Sequence, residues 1–393
     1  MALPFLTKFK KELAKLENVS TDFRPPTHWY STGNLAVNKI MSGDYYRGIP
    51  QGRVSILAGP SGAGKSFLLG NIIKAAQEDG AFIMALDSEN ALDTDWLKKI
   101  GVDVDPEKFL GVSVVTIADV VSAVSDFIKM YEKEYGKYNN EAPKVVICLD
   151  SLDMLLTESE EAHFNAGVQK GDQGQRAKQM KAFLRTTVAR IKALNIAFLG
   201  THQVYPADVL AGEGKWAINN AIRYSASQIV LITKLKLKED GEVSGIRMYC
   251  ETFKSRFAKL GSKVEVLVPY ETGMNPYSGL IDLLEADKVV VKSGAWLNCT
   301  FPGEKPFSFQ STKLDKALVD RLLSHPLIKA QSKEFEDKLR TPETPEELGE
   351  ADPTTETLLE TKSIAGDLTS MTEVKMLADS VPESFGDVLT RRD

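Results

Sequence analysis

Short, nearly continuous apolar runs recur between residues 35 and 275, and stretches with helical periodicity separate them. A strand that is covered on both faces shows such a run instead of an alternating pattern. The alternation of strands and helices therefore predicts an α/β fold with a mainly parallel central sheet. The runs lie at residues 54–58, 81–86, 145–149, 197–200 and 228–232.

The segments on either side of this core have different patterns. Near the start, Phe5, Phe9, Leu13 and Leu16 recur at helical spacing, and Pro25 and Pro26 follow. We expect residues 1–34 to form an N-terminal arm; its helix either packs on a neighbouring subunit or is an ordinary frayed terminus.

After residue 275 the pattern changes to short helices at 279–286 and 314–325 around a stretch near Trp296. We therefore expect the α/β core to span 35–275 and a small C-terminal α/β domain to span 276–340. Residues 341–393 are rich in Pro, Thr and Glu and poor in aromatic residues, which predicts a disordered tail. The more apolar stretch at 380–389 is a candidate motif for binding a partner.

Net charge changes the picture once it is divided along the chain. The 393 residues carry a net charge of −6, which alone argues against a nucleic-acid partner. Residues 341–393, however, hold 13 acidic and 4 basic residues, and the rest holds 41 acidic and 44 basic residues. The predicted folded part is therefore mildly basic, and the acidity belongs to the tail.

Other compositional features exclude several classes of protein. No apolar run reaches about 18 residues, which excludes a membrane-spanning helix, and residues 1–9 lack the pattern of a signal peptide. Cys148, Cys250 and Cys299 are too far apart for a disulfide framework or a paired metal site, and we expect Cys148 to be buried in a strand. A reducing cytoplasm is the expected location.

A phosphate-binding loop follows the first run. Its glycines let backbone N–H groups surround phosphates, and the start of the following helix adds partial positive charge. We expect Lys65 to reach the β- and γ-phosphates and Ser66 to bind Mg²⁺. The motif G-x-x-x-x-G-K-[ST] is matched at every fixed position by Gly59, Pro60, Ser61, Gly62, Ala63, Gly64, Lys65 and Ser66.

Two carboxylates are candidates to complete this site. Asp150 directly follows the run at 145–149, at the strand end where ligands of α/β sheets bind, and could hold a Mg²⁺-bound water. The alternative is that it is an ordinary residue at a strand end. Glu89 follows the run at 81–86. If that strand neighbours the strand before the loop, Glu89 lies near the γ-phosphate and could activate the attacking water.

A basic helix and two polar loops are candidates for contact with nucleic acid. On a helix over 176–194, an apolar stripe lies beside a basic stripe, which could neutralise phosphates or be a solvated face. The apolar stripe contains Ala177, Met180, Leu184, Val188 and Ile191, and the basic stripe contains Lys178, Lys181, Arg185 and Lys192, with Arg176 at the start.

The glycine-rich stretch 163–174 is expected to be a structureless loop. A second loop, 205–219, carries Tyr205, Lys215 and Trp216, which suit stacking against bases, although an ordinary exposed loop remains the alternative.

Several ordered segments carry a family resemblance. The sequence resembles the RecA-type recombinases, most closely the bacteriophage UvsX branch, from about residue 31 to about residue 325. The long loops at 157–174 and 205–219 share little with RecA beyond position. The resemblance is carried by residues 31–43, 59–66, 86–93, 176–185, 254–256 and 275–282.

The resemblance implies roles for individual residues around the nucleotide. It implies that Glu89 is the catalytic glutamate, that Trp96 stacks on adenine, that Asp93 lies beside the base, and that Tyr270 is a second aromatic residue there. Phe67 completes the nucleotide site after the loop.

It also implies a sensor and residues that act between subunits. Gln203 senses the γ-phosphate, unless the register is shifted by one and His202 is the sensor. Lys254 and Arg256 reach the nucleotide of an adjacent subunit, and Arg223 and Tyr224 link that interface to the second DNA loop.

The implied function is an ATP-dependent DNA recombinase with a RecA-like P-loop NTPase core. It would use ATP and Mg²⁺, form a helical filament on single-stranded DNA and exchange strands with a homologous duplex. A single-stranded-DNA-binding protein and a recombination mediator are expected partners, and a membrane is not. The acidic tail would oppose binding to duplex DNA.

Two alternatives remain. A hexameric replicative helicase shares the core but has a large additional N-terminal domain. A non-catalytic mediator is disfavoured by the presence of Lys65, Ser66, Glu89 and Asp150.

Overall fold

A computed structural model describes residues 4–13, 15, 25–168, 170–171, 174–206 and 216–340. It confirms the predicted α/β fold, since helices and strands alternate along the core. The helices are α1 (Pro4–Leu13), α2 (Leu35–Ser42), α3 (Lys65–Glu78), α4 (Thr94–Ile100), α5 (Ile117–Tyr135), α6 (Glu158–Asn165), α7 (Gln175–Leu194), α8 (Asn220–Ser225), α9 (Leu280–Ala286), α10 (Lys316–Leu323) and α11 (Pro326–Arg340). The strands are β1 (Trp29–Tyr30), β2 (Ile49–Pro50), β3 (Val54–Gly59), β4 (Phe82–Asp87), β5 (Phe109–Ser113), β6 (Val145–Asp150), β7 (Ala197–Gln203), β8 (Tyr205–Pro206), β9 (Trp216–Ala217), β10 (Gln228–Glu239), β11 (Glu242–Ser255), β12 (Lys263–Pro269), β13 (Val290–Ser293), β14 (Trp296–Cys299) and β15 (Phe307–Phe309).

The central sheet has eight strands in the order β12-β11-β10-β3-β7-β6-β4-β5. From β10 to β5 every neighbouring pair is parallel, whereas β10, β11 and β12 form an antiparallel extension. The five predicted runs correspond to β3, β4, β6, β7 and β10. The extension and the edge strand β5 were not predicted.

Helices cover both faces of this sheet. On one face, Leu69 and Ile73 of α3 pack in the same apolar cluster as Leu57 of β3. On the other face, Val124 of α5 and Leu184 of α7 pack with Ile56 and other strand residues. The parallel strands are therefore buried on both sides, which explains their continuous apolar runs.

The strand order corrects one expectation. The expected position of Glu89 near the γ-phosphate was conditional on the run at 81–86 neighbouring the strand before the phosphate-binding loop, and that condition is not met, because β6 and β7 separate β4 from β3. The carboxyl ends of these parallel strands still meet at one edge of the sheet, so residues that follow β3, β4, β6 and β7 can share a site.

The C-terminal part, up to Arg340, has its own apolar cluster. Strands β13, β14 and β15 form an antiparallel sheet, and Leu297 of β14 packs with Leu280 of α9 and Leu322 of α10. The helix expected at 314–325 is shorter, because α10 ends at Leu323 and a separate helix, α11, begins at Pro326, a favourable first helical residue.

Three other expectations concern the N-terminal helix, the cysteines and membrane-spanning helices. The N-terminal helix ends at Leu13, and Leu16 lies outside the described residues, as do residues 341–393. All three cysteines are buried free thiols, as expected for Cys148. Among the described residues, no helix is both long and apolar enough to cross a membrane.

Candidate nucleotide and DNA-binding site

The phosphate-binding loop joins β3 to α3 in a conformation that requires glycine. Gly62 and Gly64 have φ values of 66° and 103°, in the left-handed region that disfavours other residues. A Cβ on Gly59 would collide with the Ile232 carbonyl oxygen. The residue before α3 is Gly64, which has no side chain to cap the helix, so the first backbone N–H groups can bind an anion.

Lys65 lies at the centre of this loop. Its ammonium donates hydrogen bonds to the carbonyl oxygens of Gly59, at 3.0 Å, and Pro60, at 3.1 Å. Burial lowers the Lys65 pKa, and the charges of Glu89, Asp150 and Asp153 oppose that shift. The cation thus occupies the loop and is surrounded by carboxylates.

Asp150, at the end of β6, offers an oxygen atom that the described residues leave unpartnered. Its Oδ1 accepts a hydrogen bond from the Thr201 hydroxyl, whereas Oδ2 is buried and has no hydrogen-bond partner among the residues that the structure describes. Burial raises the Asp150 pKa, and the Thr201 hydroxyl and the nearby Ser66 hydroxyl act in the opposite direction. A buried carboxylate oxygen near a hydroxyl provides the oxygen ligands that Mg²⁺ prefers, so these residues fit that ion.

Glu89 lies in the loop after β4, and a network of hydrogen bonds connects it to the end of β6. The Ser151 hydroxyl donates to Glu89 Oε1 at 2.5 Å, and Ser88 bonds the Ser151 backbone. The Asp87 carboxylate accepts backbone N–H groups of Glu89 and Leu92, which shapes the loop. The network brings Glu89 towards Lys65 although β4 is not adjacent to β3.

His202 and Gln203, at the end of β7, lie in different surroundings. His202 is buried, its Nδ1 bonds the Asp153 carboxylate at 2.9 Å, and its Nε2 accepts the Asn219 backbone N–H at 3.3 Å. Gln203 pairs with Gly59 in the sheet register. Because side chains alternate along a strand, Gln203 shares a face with Thr201, which contacts Asp150, while His202 points to the opposite face.

The predicted adenine-side residues are spread over three elements. The Asp93 carboxylate caps α4 by accepting backbone N–H groups of Asp95 and Trp96, both at 2.9 Å. The Trp96 ring packs beside Gly70 of α3 and is half-buried. Tyr270 follows β12 and is 67% exposed.

The turn after Tyr270 connects this side to the first turn of α3. A Cβ on Gly273 would lie 3.9 Å from the Phe67 ring. The segment after β12 therefore approaches the helix that begins at Lys65.

Lys254 and Arg256, by contrast, lie away from the loop in the same chain. In the sheet, Lys254 of β11 pairs with Ile229 of β10, which in turn pairs with Ile56 of β3. The Arg256 backbone N–H donates to the Ser227 carbonyl, and the Ser227 N–H donates to the Val54 carbonyl. Val54 begins the strand that ends at Gly59, so Arg256 is separated from the loop by roughly 16 Å of strand.

Lys254 contacts the helix that follows the second loop. Its ammonium donates to the Arg223 carbonyl in the last turn of α8. Burial, then the charges of Arg256 and Arg223, lower the Lys254 pKa to about 8. Arg223 lies over the Phe253 ring, 6.0 Å from its centroid, and Tyr224 is exposed.

Helix α7 confirms most of the predicted stripes. Met180, Leu184 and Ile191 are buried and Val188 is half-buried, but Ala177 is exposed because it precedes the first buried turn. The predicted stripe was too narrow, since Phe183 and Thr187 are also buried. The basic residues Lys178, Lys181 and Arg185 are exposed, whereas Arg176 and Lys192 are half-buried.

The two loops differ from expectation. Residues 163–165, assigned to a structureless loop, end helix α6, which a capping box at Thr157 begins. In the second loop, Trp216 pairs with Pro206 and packs half-buried against the core instead of being displayed; Tyr205 is 60% exposed. Lys215 lies outside the described residues.

Sequence reasoning missed several residues that organise the site. Asp153 bonds the His202 ring and the Gln203 backbone N–H, and Thr201 and Ser151 bond the two acidic residues. Their only sequence signal is proximity to Asp150 or Gln203. Hydrogen-bonded residues that lie on different strands are far apart in the sequence, so they form no recognisable sequence motif.

One comparison with known proteins bears on this site. A family model described as the RecA N-terminal domain matches residues 10–275, which is more than half of the chain. The matched range contains the phosphate-binding loop, Glu89, Asp150, Gln203, α7 and the Lys254–Arg256 pair.

Proposed function

Because this chain belongs to the RecA family, we propose that it is an ATP-dependent DNA recombinase. The family comprises DNA-dependent ATPases that bind ATP with Mg²⁺ and form filaments on DNA. The finer proposal is a protein of the bacteriophage UvsX type that pairs single-stranded DNA with a homologous duplex and exchanges strands. It would serve recombination, repair and recombination-dependent replication in the cytoplasm of a host cell.

The observation that carries the proposal is the group of residues at one edge of the sheet. A complete phosphate-binding loop lies close to a buried Asp150 oxygen that has no partner in the described part of the chain, and Glu89 is bonded nearby. We assign Gly59 through Ser66 and Phe67 to ATP binding, and Ser66 and Asp150 to Mg²⁺. Bound Mg²⁺ would offset negative charge on the phosphates.

Glu89 is assigned as the base that orients and deprotonates the attacking water. Its carboxylate is held by Ser151, so it is positioned before substrate arrives. Lys65 would exchange its two carbonyl partners in the loop for phosphate oxygens.

We assign Gln203, and not His202, as the sensor of the γ-phosphate. Both nitrogens of the His202 ring already have partners, which tie the end of β7 to Asn219 at the start of α8. Gln203 lies beside Gly59 and on the face of Thr201. A movement of Gln203 would reach the second DNA loop directly, because that loop begins two residues later.

Lys254 and Arg256 are assigned to the nucleotide of an adjacent subunit. Their separation from the loop of their own chain along the sheet supports this proposal. Arg223 and Tyr224 on α8 would link this interface to the second DNA loop, because Lys254 bonds the Arg223 carbonyl.

Asp93, Trp96 and Tyr270 are assigned to the adenine side. Trp96 beside Gly70 and Tyr270 near the turn that approaches Phe67 both flank the first turns of α3. Aromatic rings suit the face of a base, and the Asp93 carboxylate could accept a hydrogen bond from its amino group.

Single-stranded DNA would lie along α7 and the two loops. Lys178, Lys181 and Arg185 are exposed cations on one side of α7, and Arg176, Lys215 and Arg223 complete the set of proposed contacts. We also propose that a single-stranded-DNA-binding protein and a mediator assist loading.

Self-assembly would use residues 1–34 as a polymerisation arm. Phe5 and Phe9 of α1 stack at 5.9 Å and are 69% and 48% exposed, so this helix presents an apolar face without covering it. An apolar groove of about 480 Å³ between α5 and α7 is a candidate receiving surface on the next subunit.

The boundaries 35–275, 276–340 and 341–393 remain our proposal for the core, the small domain and the acidic tail.

Electron microscopy with single-stranded DNA and a slowly hydrolysed ATP analogue tests the proposal. Helical filaments are expected; closed rings would indicate a helicase, and neither assembly would indicate a mediator. The Lys65→Ala variant is the matched control and should lose both filaments and DNA-stimulated ATP turnover. Normal turnover in that variant would refute the assignment.

A further inference from the structure

A second lysine approaches the phosphate-binding loop from the β10–β11 hairpin. A Cβ placed on Gly62 would lie 3.2 Å from the Lys234 ammonium. Gly62 has left-handed backbone and no side chain, so the ammonium can come close to the loop backbone. Lys236, two residues further along β10, is a similar exposed lysine but is not among the neighbours of any loop glycine.

The hairpin forms a wall beside the loop. Lys234 pairs with Met248 across the two strands, and Met248 and Ile246 each lie 3.4 Å from the point where a Cβ on Gly64 would be. Side chains of cross-strand partners project to the same face of a sheet. Because Met248 packs against the loop, its partner Lys234 also projects towards the loop.

The electrostatic surroundings of the two loop lysines differ. Lys65 lies among the negative charges of Glu89, Asp150 and Asp153, which act to raise its pKa against the larger effect of burial. Lys234 makes no hydrogen bond or ion pair with any residue that the structure describes. Its charge is therefore available to an anion that the backbone N–H groups of the same loop attract.

We propose that Lys234 is a second phosphate-binding residue of the same chain, which contacts the phosphates of the bound nucleoside triphosphate together with Lys65. The inference rests on the proposed function, because it requires nucleotide in this loop. It adds a cation from the antiparallel extension of the sheet to a site built by the parallel strands.

Calorimetric titration of the full chain with a slowly hydrolysed Mg-ATP analogue and with Mg-ADP, in the absence of DNA, tests the role of Lys234. We expect Lys234→Ala to weaken binding of the triphosphate about tenfold, as for loss of one charge-assisted contact, and to affect the diphosphate less. Lys234→Arg should retain most of the affinity. Lys236→Ala is the matched control, since it removes the same charge from the same face without reaching the loop.

Two outcomes would overturn the inference. Either Lys234→Ala binds the triphosphate like the original protein, or Lys236→Ala weakens binding equally, which would indicate a general field effect. DNA affinity measured without nucleotide adds a check: loss of DNA binding with unchanged nucleotide affinity would assign Lys234 to DNA.

Lys65→Ala separates this inference from the proposed function. If that variant binds nucleotide normally, the proposed function fails. If it loses nucleotide and Lys234→Ala does not, only the role of Lys234 fails.

Discussion

At the scale of single residues, the Glu89 carboxylate is held by the Ser151 hydroxyl and not by its position on a strand next to the loop. Glu89→Gln keeps the shape and a hydrogen-bond acceptor but removes the base. We expect ATP and DNA to bind while hydrolysis slows about 10²–10⁴-fold. Filaments should then outlive those of the original protein, as measured by ATPase assay and by filament decay after ATP is diluted. Decay at the normal rate would exclude Glu89 as the base.

Lys254 gives a prediction about pH. Burial and two neighbouring cations lower its pKa to about 8, so the free protein carries the ammonium below that pH and loses it as pH rises through it. DNA-dependent kcat/KM for ATP should therefore fall as pH rises above about 8. A lysine with an ordinary pKa would cause this fall only at a higher pH. Lys254→Arg keeps its charge and should move that fall to higher pH. An identical alkaline limb in both proteins would show that Lys254 does not set it.

Single residues also show where sequence reasoning stops. Lys65, Ser66 and Asp150 could be assigned because a local motif and a strand end fix them. The sequence could not decide between His202 and Gln203, because a shift of one residue in a strand moves a side chain to the other face. Our proposal of Gln203 rests on the pairing of Gly59 with Gln203 in the sheet, which the sequence does not reveal.

At the scale of elements, α7 gives the clearest test of DNA contact. Its exposed cations Lys178 and Lys181 lie near the first loop, whereas Arg190 is further along the helix and faces Glu132 at 3.8 Å. Lys178→Ala and Lys181→Ala should each weaken binding of single-stranded DNA and reduce the slope of log affinity against log salt by about 0.7. Arg190→Ala, the control, should leave the slope unchanged. Equal slopes in all variants would make this stripe a solvated face.

The elements that sequence reasoning missed share a physical cause. Strands β11 and β12 are half-covered, so their alternating patterns are weaker than the continuous runs of β3 or β6. The pairing of β10 with β3 is not encoded in either strand, because it joins segments about 170 residues apart and depends on the whole sheet. Helix α6 was missed because none of its residues is buried, so it carries no apolar stripe.

At the scale of the whole molecule, charge is divided between a mildly basic part and an acidic segment. Residues 1–340 carry a net charge of +3, and residues 341–393 carry −9. A tethered polyanion competes with DNA for the same cations, and the competition is strongest where binding depends most on charge. Under the proposed function, the exposed cations of α7 are those for which both would compete.

Deletion of residues 341–393 should therefore strengthen binding to duplex DNA more than to single strands, because it changes the net charge of the chain from −6 to +3. The effect should be largest at low salt and fade as salt rises, since screening acts over ~8 Å at physiological ionic strength. ATPase activity on single-stranded DNA should stay close to normal, because the phosphate-binding loop and its partners are untouched. Fluorescence anisotropy with duplex DNA over a salt series decides the matter. A segment that serves only solubility would give superimposable binding curves for the full-length and truncated proteins, and that result would refute regulation by the acidic segment.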